Sequence, residues 1–281
     1  MQSWMLPAWM LAASSFAPWT AGVKVSPLVA GAARHSIHAY FNTSPESPDG
    51  RWVLFFTSRA PDGHSGEVRI RERATGVERV LAANVTTEDA HRAACQQWVS
   101  DGKSVVFHDL RDGHWVVVAV DVASGAQRLL GRDRMVGWGT PGGDVVPMYG
   151  PHWDAKALRD LELVDVRDGR VKTALRAADV RRRYGDEVAA RFGDRAISVF
   201  FPILSPDGRR VVFKLATPSG GDFRSKAASD RETLLGYDLA ENRFLFFRAK
   251  WGHPAWRPDS RRLINVPNLT IDAESGGESG I

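Results

Sequence analysis

Eight histidines and one cysteine carry most of the reactive chemistry in this 281-residue chain. Imidazole is the commonest metal ligand and the side chain best able to move protons near neutral pH, so a cluster could serve either purpose. His91 sits in Glu88-Asp89-Ala90-His91-Arg92, just before Gln96-Gln97-Trp98, and His38 sits in His35-Ser36-Ile37-His38-Ala39-Tyr40. Carboxylate, imidazole and amide together suit manganese, calcium or zinc. Inter-blade hydrogen bonding would account for the same residues. The segment Gly220-Gly221-Asp222-Phe223-Arg224-Ser225-Lys226 places two cations next to paired glycines. Arg224 and Lys226 are thereby suited to gripping carboxylates, or to solvation. A lone cysteine, Cys95, excludes an internal disulfide framework and a thiolate zinc cluster.

These residues must be positioned by repeated β structure. A Pro-Asp-Gly turn followed by an apolar strand occurs at Ser47-Pro48-Asp49-Gly50 before Trp52-Val53-Leu54-Phe55-Phe56, and at Ser205-Pro206-Asp207-Gly208 before Val211-Val212-Phe213. Weaker copies are Ser100-Asp101-Gly102, Pro141-Gly142-Gly143 and Arg257-Pro258-Asp259-Ser260. Proline presets φ, aspartate caps the turn and glycine accepts positive φ. A second element recurs out of phase with the first, in IRERATG from Ile70, VDVASG from Val120, VDVRDG from Val164 and YDLAEN from Tyr237. Each is an alternating strand that ends in a tight turn. Two linked hairpins per unit, without helical periods between them, predict an all-β fold, a β-propeller of four-stranded blades. About five are visible, the last incomplete. Crossover helices are missing, which excludes a doubly wound α/β sheet.

The blades span residues 32–272, with a helical insert near 177–192 that has Arg and Glu spaced for a solvated face. Residues 273–281 are too polar for a strand and read as a flexible tail. Either residues 23–29 complete the last blade, or the ring is open for want of further C-terminal sequence. Residues 1–31 form an apolar segment, and the first charged residue is Lys24. That segment lacks the basic start of a secretory signal, and Pro7 and Pro18 oppose a spanning helix. The compartment stays undecided: cytoplasmic on this reading, periplasmic if the segment is a signal.

Blade connectivity puts both tight turns at one end and maps all eight histidines to the other. Aligned first strands place His253, Phe201, Cys95 and Thr43 around the axial mouth, where His253 is either a proton carrier or a hydrogen-bonded structural residue. Trp98 and Trp256 occupy matching strand positions and read as blade core. The net charge of +4 and pI near 9.4 favour acidic partners.

The Ser-Pro-Asp-Gly blade signature resembles the TolB-type propeller repeat over residues 43–266. More narrowly, His38-Ala39-Tyr40-Phe41-Asn42-Thr43-Ser44-Pro45 and His253-Pro254-Ala255-Trp256 look like the corresponding stretches of oligogalacturonate lyases. That family comprises seven-bladed propellers that cleave pectic oligosaccharides by β-elimination, with a divalent metal, usually manganese, held by histidines and a glutamine. This chain departs from it in having fewer blades and no closely spaced histidine pair near the last blade. The resemblance implies His253 or His91 as base, Arg224 and Lys226 as carboxylate clamps, and His38, His152 and Gln97 around a divalent metal such as Mn2+. The expected partner is an acidic oligosaccharide rather than nucleic acid or a membrane. A non-catalytic propeller that binds a protein partner through the same face is the alternative.

Overall fold

A computed structural model describes residues 21–29, 34–88, 90–154, 156–218, 231–266 and 269–280. Chain contacts divide the protein after Ala32. In the first unit the described residues 21–29 carry a turn at Ala21 and Gly22 and no strand.

The second unit is a β-propeller of five antiparallel sheets, each with its four strands in sequence order. The first blade holds β1 (His35–Ile37), β2 (Trp52–Ser58), β3 (Ser65–Glu72) and β4 (Glu78–Thr86). The second holds β5 (Gln97–Val99), β6 (Ser104–Arg111), β7 (His114–Asp121) and β8 (Gln127–Arg132). The third holds β9 (Met135–Val136), β10 (Val145–Tyr149), β11 (Leu161–Asp165) and β12 (Val171–Leu175). The fourth holds β13 (Ser198–Leu204), β14 (Arg210–Ala216), β15 (Arg231–Asp238) and β16 (Arg243–Arg248). The fifth holds β17 (Ala255–Trp256), β18 (Arg262–Asn265), β19 (Leu269–Asp272) and β20 (Glu278–Gly280).

All five turns read from the sequence close with a main-chain hydrogen bond across three residues. Gly50 and Gly208 donate to Ser47 and Ser205 at 2.8 Å, while Lys103, Gly143 and Ser260 donate to Ser100, Thr140 and Arg257 at 3.0 Å. Ser47 and Ser205 also donate through their hydroxyls to Asp49 and Asp207, each at 2.6 Å. Successive turns touch: Asp101 N–H donates to the Gly142 carbonyl at 2.8 Å, and Asp207 N–H to the Ser260 hydroxyl at 3.0 Å. The hairpin turns thus line one end of the propeller. Trp98 and Trp256 play equivalent parts, since their indole N–H groups donate to Pro45 at 2.9 Å and Ile203 at 3.1 Å, each on the preceding blade.

Three apolar clusters glue successive blades. Leu54, Phe56 and Ile70 meet Val105, Phe107 and Val118 between the first and second blades. A larger cluster joins the second blade to the third and, through Val212, Leu234, Phe246, Leu263 and Ile271, the fourth to the fifth. The third joins blades three and four, where the helical insert also packs. That insert is two helices, α1 (Ala177–Arg183) and α2 (Gly185–Phe192), broken at Tyr184, whose φ of −126° and ψ of 44° lie outside the helical region. Val180, Tyr184, Val188 and Phe192 face the blades, so the insert has an apolar seat beneath its solvated arginines.

Two expectations are corrected. The fifth blade is complete, because residues read as a flexible tail form β20, pairing Leu269 with Gly280 and Ile271 with Glu278. An outermost strand contributes backbone hydrogen bonds while its side chains face water, so Glu278, Ser279 and Gly280 are exposed and need not be apolar. Residues 23–29 carry no strand and take no place in that sheet. The larger cluster reaches the first blade at Ala39, with Tyr40 packed against it, and Ile264 stays 45% exposed on the face of the fifth blade turned from the fourth. The seam between the fifth and first blades also carries a polar link: Asn42 donates through Nδ2 to the Pro254 carbonyl at 2.9 Å.

Candidate functional site

The end opposite the hairpin turns collects the histidines. His64, His91, His114, His152 and His253 lie in or border loops there, His35 opens β1, and His108 lies toward that end of β6. His38 lies just beyond β1.

The axis beneath this end is plugged by aromatic rings rather than open. Tyr40 stacks on Trp138 with centroids 5.9 Å apart and planes 6° from parallel, and Phe201 meets both edge-on at 5.6 and 6.2 Å. Phe201 and Cys95, expected to ring a channel, are buried in this plug. Their backbones are left-handed, with φ of 54° and 51° at matching first-strand positions, and Ala93 adds a φ of 48°. Strain in non-glycine residues is held in place by surrounding structure and clusters at functional sites.

Above the plug, two of the expected site residues come together. His91 packs edge-on against Tyr40 at 5.1 Å, Tyr40 touches Phe41 at 4.2 Å, and Phe41 lies 6.1 Å from His253. Burial, the Lys214 ammonium and nearby His91 all depress the His253 pKa below its ordinary value of 6.5. Lys214 stands 4.5 Å from the Trp251 ring centroid and 5.2 Å from that of Phe200. Two imidazoles and a lysine therefore share an aromatic floor. At neutral pH His253 is an uncharged imidazole beside a cation, a pairing suited to taking a proton from an anionic ligand.

The loop that carries His91 is anchored from below. Glu88 and Arg92 form a buried ion pair at 2.6 Å, and Arg92 lies 5.0 Å from the Phe201 ring. Burial pushes the Tyr149 phenol well above its ordinary pKa, although it lies against the Arg92 guanidinium.

Of the other expected site residues, those the structure describes are placed elsewhere. Arg224 and Lys226 lie outside the described residues. Gln97 is committed to joining blades: its amide donates to Gly137 at 2.8 Å and Cys95 at 3.3 Å, and its oxygen accepts from Gly139 N–H at 2.7 Å. His152 is buried against Phe200 at 4.0 Å and Trp153 at 5.0 Å. His38 is exposed, its Nε2 is 3.1 Å from the Thr43 carbonyl, and burial of part of its ring lowers its pKa. These three donors do not fit a shared manganese ion, and among the described residues no three of His, Cys, Asp and Glu converge to hold a metal.

Lys214, Tyr40, Phe41 and Trp251 were missed by sequence reasoning. Lys214 had a signal: it interrupts the otherwise apolar run Val211-Val212-Phe213-Lys214-Leu215-Ala216 in a buried strand.

No protein-family model and no curated relative matches the chain. Solved structures do. TolB from Acinetobacter baumannii aligns with a TM-score of 0.53 at 12% identity, over 83% of this chain and 52% of that one, so this chain spans about half of its length. An oligogalacturonate lyase in complex with manganese aligns at 0.52 and 14% identity, over 88% of this chain and 78% of that one. A prolyl endopeptidase aligns at 0.52 and 12% identity, over 89% and 36%. At such identities the shared property is the β-propeller fold, and the fold alone does not choose among their activities.

Proposed function

We propose that the histidine-bearing end of this propeller binds an acidic oligosaccharide and cleaves it by β-elimination, in the manner of an oligogalacturonate lyase but with protein side chains in the central roles. The observation that carries this reading is the convergence of His253, His91 and Lys214 over the plug of Tyr40 and Phe201.

In the elimination, a base removes the proton on the carbon beside the uronate carboxylate. The electron pair forms a carbon–carbon double bond as the bond to the glycosidic oxygen on the next carbon breaks, and that oxygen takes a proton. Neutral His253 is the base, because its lowered pKa keeps its lone pair free at neutral pH. Lys214 offsets the charge that builds on the carboxylate as the proton leaves. His91, on the same floor, returns a proton to the departing oxygen. Phe41, 48% exposed, gives the apolar face of a sugar ring a surface to lie on.

The alternative is a mouth that binds a protein without chemistry. It draws on the exposure of Phe41 and of Val266, 56% exposed, on loops of the same end. Incubating the protein with oligogalacturonides, with manganese and separately with a chelator, separates the two. Unsaturated uronate, read by its ultraviolet absorbance, is expected in both. Its absence from both would leave the protein-binding mouth as the better account.

A further inference from the structure

A cleft of about 590 Å³ opens on the same end of the propeller between the second and third blades, where the loop joining β6 to β7 faces the loop joining β10 to β11. Its size falls within the roughly 300–1,000 Å³ of small-ligand clefts. Trp115 and Trp153 form its apolar wall, edge to face at 5.9 Å and 77°. Asp133, Asp154, Arg134 and Lys156 form the polar one.

We infer that this cleft is a second saccharide subsite, which takes a further uronic-acid ring of the oligosaccharide held at the axial mouth. The inference rests on the reading of that mouth as an acidic-sugar site. Three features of the cleft suit a sugar acid. Indole edges meet the C–H face of a pyranose. Asp133, held by His114 Nδ1 at 2.7 Å, and Asp154, whose Oδ1 accepts Lys156 N–H at 2.8 Å, each keep acceptor capacity for sugar hydroxyls. Lys156 has an exposed side chain with no ion pair among the described residues, and so offers an ammonium for one carboxylate. Arg134 is already gripped by both oxygens of Glu162, at 2.7 and 3.2 Å, and serves as a fixed wall. The two aspartates oppose a multiply charged ligand such as a phosphate, so a polyhydroxylated ring with a single carboxylate fits best.

Beneath the surface, a row of buried rings runs from the cleft toward the mouth. From Trp153 the rings run to His152 at 5.0 Å and on to Phe200 at 4.0 Å, over which Lys214 lies. An oligosaccharide crossing the surface above this buried row would have Lys214 at one end and Lys156 at the other.

Calorimetric titration with digalacturonate and trigalacturonate tests the subsite in wild-type protein, Lys156→Glu and Lys214→Met. Lys156→Glu is expected to weaken trigalacturonate by about tenfold and to leave digalacturonate unchanged, because charge reversal acts only where the third ring sits. Lys214→Met is expected to weaken both. Fluorine NMR of 5-fluorotryptophan protein, assigned with Trp115→Phe and Trp153→Phe, is expected to show both signals move with trigalacturonate. Unchanged trigalacturonate affinity in Lys156→Glu, with both signals still, overturns the subsite while leaving the mouth intact. A weakened Lys156→Glu with an unaffected Lys214→Met supports the cleft and overturns the mouth. No binding by wild-type protein overturns both.

Discussion

The Lys214 ammonium lies 4.5 Å from the centroid of the Trp251 ring, two residues before His253. The indole face holds a cation on a largely buried strand, and that cation adds to burial in depressing the pKa of the neighbouring imidazole. Lysine and histidine are thus coupled: burial lowers the His253 pKa first, and the Lys214 ammonium lowers it further.

That coupling has a direct readout. In an NMR pH titration His253 is expected to protonate below 6.5, and Lys214→Met should raise its midpoint, because removing a nearby positive charge favours the imidazolium. An unmoved midpoint would show that burial and His91 set it without Lys214.

The buried Glu88–Arg92 pair under His91 gives a stability prediction. Glu88→Ala leaves the Arg92 guanidinium buried without its carboxylate, which costs about 3–5 kcal/mol. Urea unfolding should show that loss, and a change below about 1 kcal/mol would mean that Arg92 finds an equivalent partner.

Acid should loosen the hairpin turns. Hydrogen bonds hold several turn carboxylates below their ordinary range: from the Ser47 hydroxyl for Asp49, from Ser124 for Asp121, and from the Arg167 side chain for Asp165, which drops to about 2. A carboxylate whose pKa is lowered by folding contributes stability in full above its unfolded pKa and loses it as pH falls through the folded one. Melting temperature is therefore expected to hold above about pH 4 and to fall between about pH 4 and 2. A flat profile across that window would contradict the role given to these caps.

The fold was legible because its turns are local chemistry. Ser-Pro-Asp-Gly carries the φ preset, the cap and the positive-φ glycine within four residues, so the first four blades could be read from residue order. The fifth was misread although its signal was present. Ile271-Asp272-Ala273-Glu274-Ser275-Gly276 is another copy of the Val120-Asp121-Val122-Ala123-Ser124-Gly125 turn, and Gly276 and Gly125 both donate at 2.8 Å to the aspartate carbonyl four residues earlier. Its polarity hid it, because outermost strands need no apolar side chains. Of the site, His91 and His253 could be named from the loops that bear them. Lys214 could not be tied to them, because a strand's sequence does not say which loop it ends under. Gln97 looked like a ligand because a carboxamide in sequence does not reveal its backbone partners.

The last blade offers a matching test. Deleting residues 277–281 removes β20 and leaves β19 as an open edge, so the melting temperature should fall by at least about 3 °C. No change would mean that β20 is dispensable to the fifth sheet.

His253 is the proposed base of an elimination at the propeller mouth. The most direct measurement of that role is the turnover of trigalacturonate to unsaturated product by wild-type protein and by His253→Ala, side by side with chelator present. Turnover is expected from the wild type, with a loss of about 10²- to 10⁴-fold in the variant, the usual worth of a positioned base, and an unchanged melting temperature. Equal turnover by the two proteins, or none by the wild type, would contradict that role.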